Sequence, residues 1–208
     1  MSRPAGDADR KLLSAGRELL ARKGISGLSV REVASKAEVN LGMFHYHFKT
    51  KDEFARRVLQ EIYEEFFAKL SLEASEGTSA ERLRKALTSL ARFARDNRAL
   101  VLCLGQDAVA GNRPAIEFLL KNAPRHVRIV MGLVRDCQKA GVLRRSPLTR
   151  VMVFLGGGVM LPAVLVAALE RVLSGGIGAL PFKLVVREIL SDEAIADRVD
   201  MAMKGASA

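Results

Sequence analysis

The feature that most constrains this chain is that a helix must stop and restart twice within about twenty residues. From about Asp9 to Lys23, Leu12, Ala15, Gly16, Leu19 and Leu20 recur at the three- and four-residue spacing of an amphipathic helix. Arg22-Lys23-Gly24 ends it, with basic side chains for the negative end of the dipole and then a glycine that can turn left-handed. Ser29-Val30-Arg31-Glu32 reads as a capping box that opens a second helix, hydroxyl and carboxylate each satisfying an orphan amide. Glu38-Val39 supplies a turn, and Asn40 caps a third short helix from Leu41 to about Phe48. Val33 and Ala34 face inward, the small Ala34 permitting a close crossing; Val39 fills the turn, and Phe44 and Phe48 anchor the third helix. Two short helices joined by such a turn have the geometry of a helix-turn-helix, whose second helix enters the major groove of DNA. Leu41, Gly42, Met43, His45, Tyr46 and His47 are left on the outer side.

The rest of the chain repeats the helical period with little β-branched alternation, so the fold class is all-α, with eight to ten helices. Residues 1–8 read as a frayed tail. Thr50-Lys51-Asp52-Glu53 is a second capping box, opening a long helix with Phe54, Val58, Ile62, Phe66 and Leu70 on one stripe. Helices follow over 80–96, 98–110 and 115–139, the last interrupted or kinked at Pro124. Ser146 and Pro147 open another, running to about Leu173. Gly175-Gly176-Ile177-Gly178 is a loop, and one or two helices carrying Leu184, Ile189, Ile195 and Val199 close the chain.

Charge separates the function classes. The net charge is +10, and residues 1–51 hold ten Lys/Arg against five acids, so half the excess sits in the first quarter. A polyanionic partner fits that end. No glycine-rich phosphate loop, nucleophile elbow or metal-ligand cluster is present, and His126 has no Asp or Ser at motif spacing, so no catalytic residue is assigned and an enzyme is not expected. His45 and His47 stand two apart on a helix and point to different sides, which argues against a metal site. Cys103 and Cys137 lie in apolar helical context, as buried thiols of a reduced cytoplasmic protein do, and no secretory signal is visible.

The run from Ser29-Val30-Arg31-Glu32-Val33-Ala34 through Val39-Asn40-Leu41-Gly42-Met43-Phe44-His45-Tyr46-His47-Phe48 to Lys51-Asp52-Glu53-Phe54, behind a helix ending at Gly24, resembles the tetracycline-repressor (TetR) family over residues 9–60. The resemblance implies a helix-turn-helix domain at 1–50 and a helical regulatory and dimerisation domain at 51–208. It also implies site roles: Ser29 and Arg31 on backbone phosphate, Leu41, Gly42 and Met43 on base edges, His45, Tyr46 and His47 on phosphates or flanking bases, and Lys51 on a phosphate. The bland readings are a packed Tyr46 and a solvated Arg31. Two positions depart from the family pattern: Glu38 where the turn usually has Gly, implying a left-handed residue at about 1 kcal/mol, and His45 where an aromatic is usual.

Val151 to Leu169 is an apolar run of bilayer-spanning length, and a membrane-associated helical protein is the alternative class. Against it stand Gly156-Gly157-Gly158 and Pro162, small or helix-weakening residues that let two helices approach closely. The family resemblance makes this a late helix packed on its copy in a homodimer, which would read an inverted repeat of double-stranded DNA, usually as a repressor and near its own or a neighbouring promoter. It further implies a pocket for a small-molecule effector, for which Phe93, Cys103, Gln106, Phe118, Met131 and Phe154 are candidates, each also readable as ordinary core. No cofactor, metal or membrane partner is expected, and the cytoplasm, on the nucleoid, is the expected location.

Overall fold

A computed structural model describes residues 4–173 and 179–208. These residues form ten helices: α1 (Pro4–Lys23), α2 (Val30–Lys36), α3 (Leu41–His47), α4 (Lys51–Glu73), α5 (Ser79–Asp96), α6 (Arg98–Val109), α7 (Arg113–Lys139), α8 (Leu148–Leu173), α9 (Ala179–Leu190) and α10 (Asp192–Gly205). Among the described residues the sole extended pairing is an isolated bridge between Leu143 and Ser207. The all-α expectation and the helix count therefore hold.

Two expectations need adjustment. Helix α1 already begins at Pro4, so the tail expected over 1–8 is helical from that residue. Pro124 does not interrupt α7, which runs unbroken; a buried face of Asn122, Val130, Leu133, Val134 and Cys137 outweighs the one backbone hydrogen bond that proline removes. The loop expected over 175–178 lies outside the described residues.

The chain forms two compact units, one built from residues up to Glu65 with Ala99–Asn122, the other from Phe66–Arg98 with residues from Ala123 onward. In the first, α1, α2 and α3 pack on one another around Leu12, Leu19, Leu20, Val33 and Phe44. The ring of Phe44 meets Phe48 and Phe54 with centroids 5.6 and 5.1 Å apart, and Phe48 stands edge-on to Phe54 at 4.8 Å. Gly16 lets α4 come this close: a Cβ there would lie 2.5 Å from the Phe54 ring and 2.9 Å from Val58. A fork of Arg17 on Glu65 adds an ion pair on the rim, Nη1 to Oε2 at 3.0 Å, and holds the Glu65 carboxyl below its ordinary pKa. Asn122, buried on α7, takes the Tyr63 hydroxyl on its carbonyl at 2.7 Å and exchanges amide hydrogen bonds with Gln60.

In the second unit α8 packs on α5, α9 and α10. Its buried stripe, Val151, Leu155, Val159, Ala163, Val166 and Ala167, has the three- and four-residue spacing of a helix with one face in a core. Ala163 and Val166 meet Ala94 and Leu190 there. Arg98 clasps Glu170 through Nε and Nη2, both at 2.8 Å. By length and composition α8 could cross a membrane, with a mean hydropathy of 2.3. Much of its outer side is bare, with Val153, Phe154, Leu161, Leu165, Leu169 and Val172 exposed, next in sequence to α9, whose Leu184 and Val185 are exposed as well.

Candidate nucleic-acid interface

The turn between α2 and α3 is fixed from both ends. Ala37 and Val39 donate to the carbonyls of Val33 and Ala34 at 2.9 and 3.0 Å, closing α2. Glu38 between them has φ +55°, so the left-handed conformation that the family resemblance implied, with its usual glycine at this position, is present. Asn40 then caps α3, its Oδ1 accepting from the Met43 amide at 2.8 Å. Three aromatic rings bury the inner side of α3, and what remains points outward.

The outward residues are close to those expected. Tyr46 is 76% exposed and Leu41 37%; Gly42 and His45 are exposed, and Met43 is half-buried. Ser29 and Arg31, at the start of α2, are exposed, and Lys51 at the start of α4 is half-buried. His47 stands apart: its side chain is only 14% exposed and turns toward α1, Nδ1 lying 4.0 Å from Asp9. Its ring meets Tyr46 edge-on at 5.2 Å, which places it beneath the outer face as a prop for the tyrosine. Thus seven of the nine expected residues are exposed or half-buried on α2, its N-cap and α3, His47 is largely covered, and Lys51 opens α4.

The local caps differ from expectation in one place. Ser29 occupies the N-cap of α2 with extended backbone, yet its hydroxyl makes no cap bond. Glu32, the other half of the expected box, instead accepts from Lys23 Nζ at 2.6 and 2.8 Å. A lysine at the end of the preceding helix outcompetes the neutral amide, because a charge-assisted bond is the stronger one. This leaves the Ser29 hydroxyl unengaged by the helix it heads. The box at Thr50 forms in half: Thr50 Oγ1 accepts from the Glu53 amide at 3.0 Å, while Glu53 reaches the Lys49 amide at 3.3 Å.

The residues expected to line a pocket are divided between the two units, Cys103, Gln106 and Phe118 in the first, Phe93, Met131 and Phe154 in the second. Phe93 stacks on Phe66 at 4.3 Å, and His126 stands edge-on to the same Phe66 ring at 5.9 Å, its pKa lowered by burial. Cys103 is buried with its thiol toward the Ala21 carbonyl at 3.5 Å, Gln106 is exposed, and Phe118 lies edge-on to Tyr63. Phe154 covers Gly205, where a Cβ would come within 3.1 Å of its ring. An open cavity of about 440 Å³ in the second unit is lined by other residues, among them Leu72, Arg84, Thr88 and Arg92.

Comparison with known proteins agrees with this geometry. Residues 12–58 match the sequence profile described as "Bacterial regulatory proteins, tetR family". The chain is 23% identical over 155 residues to a Bacillus subtilis protein named "Probable HTH-type transcriptional regulator YttP", covering 73% of this chain and 75% of that one. It is 29% identical over 79 residues to the "HTH-type transcriptional repressor NemR" of Escherichia coli, a match spanning 37% of this chain and 40% of the repressor. Among solved structures, the ketosteroid transcriptional regulator KstR2 of Mycobacterium tuberculosis superposes with a TM-score of 0.68 at 17% identity, covering 100% of this chain and 97% of that one. Sequence profile and exposed reading helix converge on one segment: residues 12–58 carry a DNA-binding helix-turn-helix like that of the bacterial tetR-family regulators, and the whole chain shares the fold of those solved regulators.

Proposed function

We propose that this regulator is a ligand-responsive repressor that binds an inverted-repeat operator as a homodimer in the cytoplasm. Residues 1–50 act as the DNA-reading head and 51–208 as the regulatory and dimerising part. The observation that carries the DNA contact is the outer side of α3, where Leu41, Met43 and the largely exposed Tyr46 stand on a rigid bed of buried phenylalanines. An exposed tyrosine held by an edge-on histidine loses little side-chain freedom on binding, so its contact is cheap in entropy. Leu41, Gly42 and Met43 meet base edges, where apolar side chains read thymine methyls. Ser29, Arg31, His45, Tyr46 and Lys51 meet phosphates or flanking bases, and His47 supports them from behind.

The homodimer is supported by the bare apolar side of α8, together with the exposed Leu184 and Val185 of α9. A patch of this kind on a water-soluble protein marks an interaction site. A twofold pair of reading heads multiplies the specificity of one and calls for a palindromic site. The effector is a small molecule that binds the two conformations of the regulator with different affinity. Phe93, Cys103, Gln106, Phe118, Met131 and Phe154 remain its candidate contacts, though the burial of Cys103 and the exposure of Gln106 and Phe154 make these three the weakest of the six.

The test is selection of duplexes from a random library by the purified protein, followed by titration of salt on the selected site. An inverted repeat is expected. With six to ten phosphate contacts, affinity should fall by about 10³–10⁵ between 50 and 200 mM salt. Recovery of no duplex, or a slope near zero, would overturn the reading.

A further inference from the structure

One buried carboxylate lies away from the exposed side chains of α3 and faces the backbone ahead of α2. Asp107, in the last turn of α6, is 7% exposed, and its acceptors are turned on the backbone that joins α1 to α2. Oδ2 accepts from the Ile25 amide at 2.6 Å and Oδ1 from the Ser26 amide at 3.4 Å. Gly24, with φ +68°, makes the approach possible, since a Cβ there would stand 2.5 Å from Oδ2. Two neighbours reinforce the grip: Asn112 donates through Nδ2 to the Ser26 hydroxyl at 3.2 Å, and one turn earlier on α6 the Cys103 thiol faces the Ala21 carbonyl.

Burying a carboxylate is expensive compared with an apolar side chain of similar size, which could fill the same space without desolvating a charge. What the carboxylate adds is direction. It holds the Ile25 amide by a short, charge-assisted hydrogen bond at 2.6 Å, with the Ser26 amide at the outer limit of hydrogen bonding to the same carboxylate at 3.4 Å. The segment it holds is the lead-in to α2, a helix of seven residues whose N-cap hydroxyl makes no bond to its own helix. So short a helix does not hold its own start in place. The grip from α6 supplies what the local caps do not.

We propose that Asp107 is a positioning residue for DNA recognition: by clamping the Gly24–Ser26 turn it sets where Ser29 and Arg31 stand against the phosphate backbone. This rests on the reading face proposed above. Asp107 itself does not touch the nucleic acid.

The test uses the full chain and the duplex that the unaltered protein selects. Asp107→Asn keeps the shape but places an amide group where two acceptors stood. It is expected to remain folded, with helicity unchanged by circular dichroism, while binding the duplex about tenfold more weakly, the scale of one charge-assisted bond. Hydrogen exchange at the Ile25 and Ser26 amides should quicken. If the residue acts through the α2 phosphate contacts, its effect must shrink when Arg31 is already gone: in an Arg31→Ala background the loss should fall to about threefold or less, the non-additivity of coupled sites. An unchanged affinity, or the same loss in both backgrounds, would overturn the proposal. Should Asp107→Asn melt below the assay temperature, Asn112→Ala at the outer edge of the same grip carries the test, with a smaller loss that again vanishes beside Arg31→Ala. Failure of the unaltered protein to select any duplex would sink the DNA-reading face itself, a result distinct from a loss confined to the variants.

Discussion

Glu38 holds a left-handed backbone, φ +55°, at the one point where the helix-turn-helix must reverse direction. For a residue with a Cβ this conformation costs about 1–2 kcal/mol, and glycine relieves it while adding unfolded-chain entropy. Glu38→Gly is therefore expected to raise unfolding stability by about 1 kcal/mol in denaturant titration. A loss instead would mean that the glutamate side chain stabilises the turn. The strain was legible through the family resemblance, which puts a glycine in the turn where this chain has Glu38. The fate of Ser29 was not. A capping box is a four-residue pattern, and nothing inside those four residues reveals that Lys23, nine positions before Glu32, will capture its carboxylate. Asp107 was illegible for the same reason at greater distance: its partners are 81 and 82 residues away.

Among the elements, α3 is the one whose inner and outer sides have opposite duties. Periodicity alone separated them, since Phe44 and Phe48 are one turn apart and everything between faces away. Only His47 broke the pattern: near the end of a seven-residue helix its ring folds back toward Asp9 instead of outward. Tyr46→Ala should weaken duplex binding by about tenfold, or roughly 1.4 kcal/mol, with helicity and melting temperature unchanged, because the ring packs on little but His47. Electrophoretic mobility shift reads the first and circular dichroism the second; full affinity in the variant would place the reading surface elsewhere. Pro124 carries the opposite lesson for α7. A proline marks a helix boundary when little else holds the segment, and here the buried face on both sides of it holds the helix through.

At the scale of the whole molecule, sequence could state that residues 151–169 are apolar all round but not which side is covered. The structure assigns one side to α5, α9 and α10 and leaves the other bare. If that bare side is where two copies meet, Leu165→Glu places a charge at an apolar contact and should yield a folded monomer by analytical ultracentrifugation, with operator affinity lowered by at least about 100-fold through loss of the paired head. A variant that stays dimeric would move the interface to another surface. The membrane alternative makes a different forecast, partition into detergent, and the core-like packing of the inner stripe favours the aqueous one.

Gly156, Gly157 and Gly158 sit within α8, and a methyl group on any of them would meet open space. Each forgoes about 1 kcal/mol of helix stability relative to alanine, a considerable sacrifice for a domain with a total margin of roughly 5–15 kcal/mol. In the proposed homodimer the triplet would serve as a notch, a stretch of main chain against which the main chain of a second copy could lie.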